Sequence, residues 1–148
     1  MRKMIALILV MICASSLGGC NRKADFEDFA EYENDFNSVV QFVLGYHFQG
    51  NDVSTLILDT NGYIKMGDAP ISDDSLTSAV KRIREKGFTS IDVGEDYMIF
   101  WEDERGYYGV LWSDHPVEAI NRATKSHPYM KSRELAKEWY EVGALDSI

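Results

Sequence analysis

The chain opens with a short basic segment followed by an apolar one. Met1-Arg2-Lys3 precedes an uncharged, mostly apolar run from Met4 to Leu17, and small residues follow that run. This order is typical of a secretory signal peptide. A membrane-spanning helix needs about 20 apolar residues, and this run is shorter. We therefore predict that residues 1–19 are a signal peptide that is removed, and not a membrane span.

Beyond residue 24, the first apolar pattern is helical. Acidic residues in the segment Asp25–Asp28 favour a helix N-terminus. The spacing of one helical face then recurs at Phe36, Val39, Val40, Val43, Leu44 and His47. Gly50-Asn51-Asp52 is expected to close this segment.

A β-hairpin is predicted next. Val53–Thr60 and Tyr63–Met66 are rich in β-branched and apolar residues, and Asn61-Gly62 lies between them. Asn-Gly in this position favours a type I′ turn, because both central residues then need positive φ. The apolar triplet Leu56-Ile57-Leu58 predicts that both faces of the first strand are covered.

A second helix and three strands follow in the predicted order. Ser72-Asp73-Asp74 has the composition of a helix N-terminus, and Gly87 is expected to end the helix. Its predicted buried stripe comprises Leu76, Ala79, Val80 and Ile83. A three-strand meander is then predicted over Thr89–Val93, Tyr97–Glu102 and Tyr107–Trp112.

The C-terminal third is predicted to be helical. Asp114-His115-Pro116 is typical of a helix start, and the expected apolar face contains Val117, Ile120 and Ala123. A last helix is predicted from about Ser132, with Leu135, Trp139 and Val142 on one face.

This order of elements predicts an α+β fold for residues 25–148. The expected architecture is a small antiparallel sheet, made of the hairpin and the three-strand meander, with helices packed on one face. We find no internal repeat, low-complexity run or interdomain linker in the sequence, so we predict one domain.

The segment Leu17-Gly18-Gly19-Cys20 resembles the lipobox of bacterial lipoproteins, in which Leu precedes two small residues and an obligatory cysteine. The resemblance covers residues 1–20 only, and no family is recognised for residues 25–148. It implies that the Cys20 thiol receives a diacylglyceryl group and that the chain is cut between Gly19 and Cys20. Residues 20–24 would then form a lipidated N-terminus and a short tether. The alternative is an ordinary signal peptide cut nearby, with Cys20 as a free thiol.

The same resemblance implies a location. The mature protein would lie on the extracytoplasmic face of the cell membrane, held to the lipid bilayer by the acyl anchor on Cys20. Asn21 in place of Asp after the cysteine resembles the pattern of lipoproteins sent on to an outer membrane, if the cell has one. Cys13 would be removed with the signal, so we expect no intrachain disulfide.

Charge narrows the range of partners. The chain has 15 basic and 24 acidic side chains, a net charge of −9, and loss of Arg2 and Lys3 would leave 13 basic ones and a net of about −11. Nucleic-acid binding needs a basic surface, so we expect none. An acidic domain favours a basic protein partner.

Two sequence patterns resemble metal-binding motifs, but each lacks a required ligand or the required ligand spacing. The segment Asp59–Ile64 matches the middle of an EF-hand loop, but the first ligand position falls on Ile57 and the last on Asp68. His115 and His127 each precede proline, with Asp114 beside the first, and the pair lacks the i, i+4 spacing of a helical zinc site. We therefore expect no metal and no cofactor.

Signals for catalysis are weak. Ser78 and Lys81 match Ser-x-x-Lys, but they fall inside the second predicted helix rather than at its start, and no companion motif accompanies them. Acidic pairs at Glu95-Asp96 and within Glu102–Glu104 lie in or beside predicted turns, where carboxylates make poor general acids. Aromatic residues of the meander, among them Trp101 and either Tyr107 or Tyr108, are candidates for an exposed binding face.

We therefore predict a membrane-anchored surface lipoprotein with a non-catalytic, binding or envelope-associated domain. One alternative is an immunity-type inhibitor of an exported toxin, and capture of a basic protein would favour it. A second is a cell-wall hydrolase, which zymography and replacement of Glu102 or Asp103 would reveal.

Overall fold

The structure is a computed structural model that describes residues 26, 28–46, 55–102, 108–126, 128 and 130–144. Within these ranges the helices are α1 (Phe29–Gly45), α2 (Thr77–Glu85) and α3 (Pro116–Ser126). The strands are β1 (Thr55–Leu58), β2 (Ile64–Met66), β3 (Ala69–Pro70), β4 (Ser90–Val93), β5 (Met98–Trp101), β6 (Tyr108–Trp112), β7 (Met130–Ala136) and β8 (Trp139–Ala144).

The described strands form one sheet in the order β3-β2-β1-β4-β5-β6-β8-β7, and every neighbouring pair is antiparallel. The helices pack against this sheet, so the predicted α+β class with an antiparallel sheet is confirmed. The sheet is larger than predicted, with eight strands instead of five, because β3 extends the hairpin and β7 and β8 were predicted as helix.

The first face of the sheet carries α1 and α2. Phe36, Val39 and Val40 of α1 are fully buried there. The predicted stripe of α2 is confirmed, since all four of its residues are buried, at Leu76, Ala79, Val80 and Ile83. An amphipathic helix is stabilised by burying such a stripe on a sheet, where each large apolar side chain contributes roughly 1.5–3 kcal/mol.

The second face of the sheet carries α3, so the prediction of helices on one face describes α1 and α2 only. Trp101 of β5 lies on this second face with Ala119 and Ala123 of α3. Gly109 of β6 lies beneath the indole, because an added Cβ would stand 2.9 Å from Trp101 Cε3 and 2.5 Å from the Phe100 carbonyl oxygen. The core on this face has six buried residues, against twenty on the first face, and they are Ile99, Trp101, Leu111, Ala119, Ala123 and Val142.

The predicted C-terminal helix is wrong, because residues 130–144 form the β7–β8 hairpin. Trp139 is buried on the first face, whereas Val142 is buried on the second. The spacing of Leu135, Trp139 and Val142 imitates a helical face, but these side chains serve opposite sides of a strand pair. A buried Glu141 between them conceals the period of two that indicates a strand.

The predicted type I′ turn between β1 and β2 is also wrong. Gly62 has φ of +93°, but Asn61 is outside the left-handed region. The Gly62 amide donates to the Asp59 carbonyl at 3.2 Å, and Asp59 Oδ1 accepts the amides of Asn61 and Tyr63 at 3.0 and 2.9 Å. The Asp59 carboxylate therefore holds a type I turn followed by a left-handed glycine.

Several apolar side chains lie outside the core that the pattern predicted. Ile57 of β1 is 39% exposed between two buried leucines, so only one face of that strand is covered by the helices. Leu44 and Val117 are 54% and 68% exposed. Helix α3 turns its small residues Ala119 and Ala123 to the sheet instead, because the Trp101 indole already fills the space.

Element boundaries differ modestly from those predicted. Helix α1 begins at Phe29 and ends at Gly45. The predicted continuation of its apolar face to His47 is wrong, because the backbone of Tyr46 is already extended, and His47 itself lies outside the described residues. A 3-10 turn over Asp74–Leu76 precedes α2, and Asp73 caps it by accepting the Ser75 amide at 2.9 Å. The three meander strands lie where they were predicted, within two residues at each end.

Two glycines with positive φ provide a test of the turn geometry. Replacing Gly67 (φ +61°) with alanine meets no atom within 4 Å, so we expect only the backbone penalty, about 1–2 kcal/mol. The same change at Gly62 places Cβ 2.7 Å from the Thr77 carbonyl oxygen, and we expect a further loss of about 1–3 kcal/mol from overpacking. Urea unfolding of both variants measures the difference. Equal losses would contradict the close approach of this turn to α2.

Candidate functional site

The most unusual polar group in the described chain is the carboxylate of Glu141. It lies on the first face of the sheet, in β8, and it is fully buried (0% exposed). Glutamate is rarely buried to this extent unless it is paired. The Tyr108 hydroxyl of β6 donates to Oε1 at 2.8 Å, and Arg133 Nη2 of β7 lies 2.5 Å from Oε2. Three adjacent strands therefore meet at one carboxylate.

The electrostatics of this cluster are those of a closed structural site. Burial, followed by the hydrogen bond to Glu141, raises the pKa of Tyr108 well above its ordinary value. The contact of Arg133 with Oε2 is a close ion pair and not an aligned hydrogen bond. Arg133 is 49% exposed, but both Glu141 oxygens are engaged and shielded. A general acid or base must reach substrate, and this carboxylate has no exposed surface.

Sequence reasoning missed this cluster. Arg133 and Glu141 were both assigned to a C-terminal helix, where each would lie on a solvated face. The sequence feature that could have indicated a strand here is Trp139-Tyr140-Glu141-Val142, in which one acidic residue interrupts an apolar run with high β-propensity.

The segment that imitates an EF-hand uses its acid for another purpose. Asp59 Oδ2 pairs with Lys65 Nζ at 2.8 Å, while Oδ1 accepts two backbone amides of the turn. The Lys65 ammonium first, and the Tyr63 amide second, lower the pKa of the Asp59 carboxyl to about 2. Both oxygens are thus committed to the hairpin, and an ion would have to displace Lys65 to bind.

Histidine ligands are not brought together in the part of the chain that is described. His115 is exposed, with Nδ1 3.7 Å from Asp114 Oδ1. A hydrogen bond with the Asp114 backbone, followed by the Asp114 charge, raises its pKa. His47 and His127 lie outside the described residues. Within those residues, no three His, Cys, Asp or Glu side chains form a group that could hold a metal.

The remaining catalytic candidates that the structure describes are either solvated or engaged by another side chain. Because α2 begins at Thr77, Ser78 lies in its first turn, contrary to prediction, but both Ser78 and Lys81 are exposed. Serine–lysine catalysis requires a desolvated lysine. The Glu95 side chain is 88% exposed in the β4–β5 turn, and Asp96 is paired with Arg122 of α3. Asp103 and Glu104 lie outside the described residues.

The aromatic residues of the meander do not form an exposed face where they are described. Trp101 and Tyr108 are 3% and 7% exposed. The Trp101 indole Nε1 donates to Asp92 Oδ2 at 2.8 Å, so its polar atom is satisfied within the sheet. Tyr107, the other candidate for an outward position, lies outside the described residues.

The predicted lipidation and cleavage residues, Cys20 and Gly19, also lie outside the described residues, as do residues 20–24. The first described residue is Phe26, which is buried against aromatic residues of the core. Its ring centroid lies 5.5 Å from that of Phe29, 6.0 Å from Phe36 and 5.6 Å from Phe88. The chain therefore enters the fold beside the start of α1 and β4.

Comparison of this chain with family models, with curated proteins and with solved structures gave no match. Among the described helices, none combines the length and the apolar character that crossing a bilayer requires.

The pKa of Asp59 predicts an acid-dependent loss of stability. A carboxyl whose pKa is about 2 when folded and about 3.9 when unfolded stabilises the fold above pH 4, and loses that contribution as the pH falls from about 4 to 2. We expect Asp59→Asn to lower the free energy of unfolding at pH 7 and to make it less steeply dependent on pH in this interval. Urea unfolding at pH 2.5, 4 and 7 measures both effects. Parallel pH curves for the two proteins would contradict the assignment.

Proposed function

We propose that the protein is a lipid-anchored extracytoplasmic lipoprotein with a non-catalytic, envelope-associated domain. The observation that carries this proposal is the coincidence of a basic start, an apolar run and Leu17-Gly18-Gly19-Cys20 within the first twenty residues. A thiol is the group that can form the thioether of the anchor, and small residues before it suit a narrow protease site.

The way the chain enters the fold supports an anchor of this kind. Only five residues lie between Cys20 and Phe26, whose ring is already packed in the core. An extended chain spans at most about 3.3–3.6 Å per residue, so the start of the domain would lie within about 20 Å of the acylated sulfur. The domain would be held close to the bilayer by the end that carries Phe26 and Phe88.

Charge would orient the domain. Arg22 and Lys23 lie between the anchor and the fold, where each contributes about 1 kcal/mol near an anionic surface. Glu95 follows β4 at the end opposite Phe88. Six residues lie between them, four of them in β4, so the two residues are at most about 23 Å apart. Anionic headgroups would repel this exposed acidic turn if it came within about 10 Å of the surface, so we expect it to point away from the membrane.

The described interior supports a role other than catalysis. Its one fully buried carboxylate, Glu141, is closed off by Tyr108 and Arg133. The other acidic and basic side chains considered above lie on solvated surface or pair between elements. Such a domain suits recognition or support in the envelope.

Replacing each of the two cysteines tests the anchor. We expect Cys20→Ala to abolish acylation and to release the protein from the membrane fraction, because no thioether can form. Cys13→Ala is the matched control, since that residue would leave with the signal, and it should not change fractionation. Labelling with a fatty acid and the intact mass of the mature chain measure the result.

The expected mass of the mature wild-type chain is that of residues 20–148 plus the lipid. A Cys20→Ala protein that stays in the membrane fraction as firmly as the wild type, with a mass changed only by the substitution, would overturn the proposal.

A further inference from the structure

The edge strand β7 is paired to β8 through an irregular register. Arg133 lies opposite Glu141, and Glu134 lies opposite Tyr140. Nearer the turn, Ala136 lies opposite Trp139, so Leu135 is an extra residue on β7 and the register shifts across it. This is a β-bulge, in which two residues of one strand oppose one residue of its partner.

A regular hairpin with the same turn is the obvious competitor. Continuing the pairing of Ala136 with Trp139 without a bulge would place Glu134 opposite Glu141 and Arg133 opposite Val142. A slip of one residue moves each side chain of β7 to the other face of the sheet. Two carboxylates would then face each other directly, one of them buried, and like charges in that position destabilise a strand pair.

Burial of Glu141 increases the energetic difference between the bulged register and the regular one. An exposed ion pair contributes little, because water solvates both partners almost as well apart. Glu141 is fully buried, so a register without a cation opposite it leaves an uncompensated charge in the interior. Tyr108 supplies one hydrogen bond from the β6 side, but it carries no charge to balance the carboxylate.

We propose that Glu141 determines the register of β7: its buried carboxylate selects Arg133 over Glu134 as the opposing residue, and so enforces the bulge at Leu135. The four central residues of β7 do not specify a register by hydrophobicity, because Lys131, Ser132, Arg133 and Glu134 are all exposed. The apolar residues at its two ends, Met130, Leu135 and Ala136, are only partly buried. The ion pair supplies the specificity that a buried apolar face supplies elsewhere in the sheet.

The selected register has a consequence for the edge of the sheet. It places Arg133 and Lys131 on the first face and Ser132 and Glu134 on the second. A bulged edge strand with charges on it is a poor template for pairing with another chain. The device therefore protects the longest exposed edge of the described sheet from edge-to-edge association.

A swap of two adjacent residues tests the proposal in the full mature chain, purified in mild detergent. The double variant Arg133→Glu, Glu134→Arg has unchanged composition and charge, but its arginine is one residue nearer the turn. We expect the bulge to disappear in most molecules, with residue 134 opposite Glu141. Cross-strand NOEs between β7 and β8 measure the register. Glu134→Gln is the matched control and should keep residue 133 opposite Glu141.

A second variant tests whether Glu141 determines the register of β7, even if the swapped chain does not fold. Glu141→Leu removes the buried charge, and we expect two registers in slow exchange, seen as more than one indole N–H signal for Trp139 among the three tryptophans. A single, bulged register in Glu141→Leu would overturn the proposal. A swapped variant that folds with its new glutamate at position 133 still opposite Glu141 would overturn it as well.

Discussion

The fold depends on the aromatic packing around Phe36. This residue of α1 is fully buried, and its ring centroid lies 5.3 Å from Phe88, 4.9 Å from Phe100 and 5.5 Å from Trp139. Phe88 lies just before β4, Phe100 lies in β5 and Trp139 lies in β8. One side chain thus joins the first helix to parts of the sheet as far as a hundred residues away. Trp139 adds a directional contact, because its Nε1 donates to Asn37 Oδ1 at 3.2 Å. Edge-to-face aromatic pairs contribute beyond their buried area, which makes such a cluster suited to fixing the angle of a helix on a sheet.

The two faces of the sheet are covered by cores of different size and composition. On the first face, apolar side chains from two helices fill a larger core. The Glu141 carboxylate is tolerated there because the Tyr108 hydroxyl donates to it and Arg133 balances its charge. On the second face the core is smaller, and the Trp101 indole packs between Gly109 and α3. Both cores use the described aromatic residues of β5 and β6 as structural side chains, since Phe100, Trp101, Tyr108 and Trp112 are all buried. The proposed role therefore rests on the N-terminal anchor that the sequence predicts.

Elements were predicted correctly where their apolar residues follow a single helical or strand periodicity. Val39, Val40 and Val43 in α1, the stripe of α2 and the three meander strands belong to this class. Prediction failed where a polar residue is buried or a local partner overrides propensity: Glu141 concealed β8, and the Asp59 carboxylate replaced the I′ turn that Asn61-Gly62 favours. The side that each helix covers depends on tertiary packing, so the position of α3 on the second face was not available from its pattern. Cys20 and its tether remain predictions from the sequence, because they precede the described residues.

The most direct measurement of the central role of Phe36 is the urea unfolding of Phe36→Ala, followed by two signals. Far-UV circular dichroism reports helix and sheet together, while tryptophan fluorescence reports the sheet, because Trp101, Trp112 and Trp139 all lie on strands. If the aromatic cluster holds the fold together, both transitions move to lower urea in step, with a loss of about 3–5 kcal/mol in the free energy of unfolding. A tryptophan transition that keeps its wild-type midpoint while the dichroism signal alone weakens would show that the sheet stands without α1, and would contradict this account.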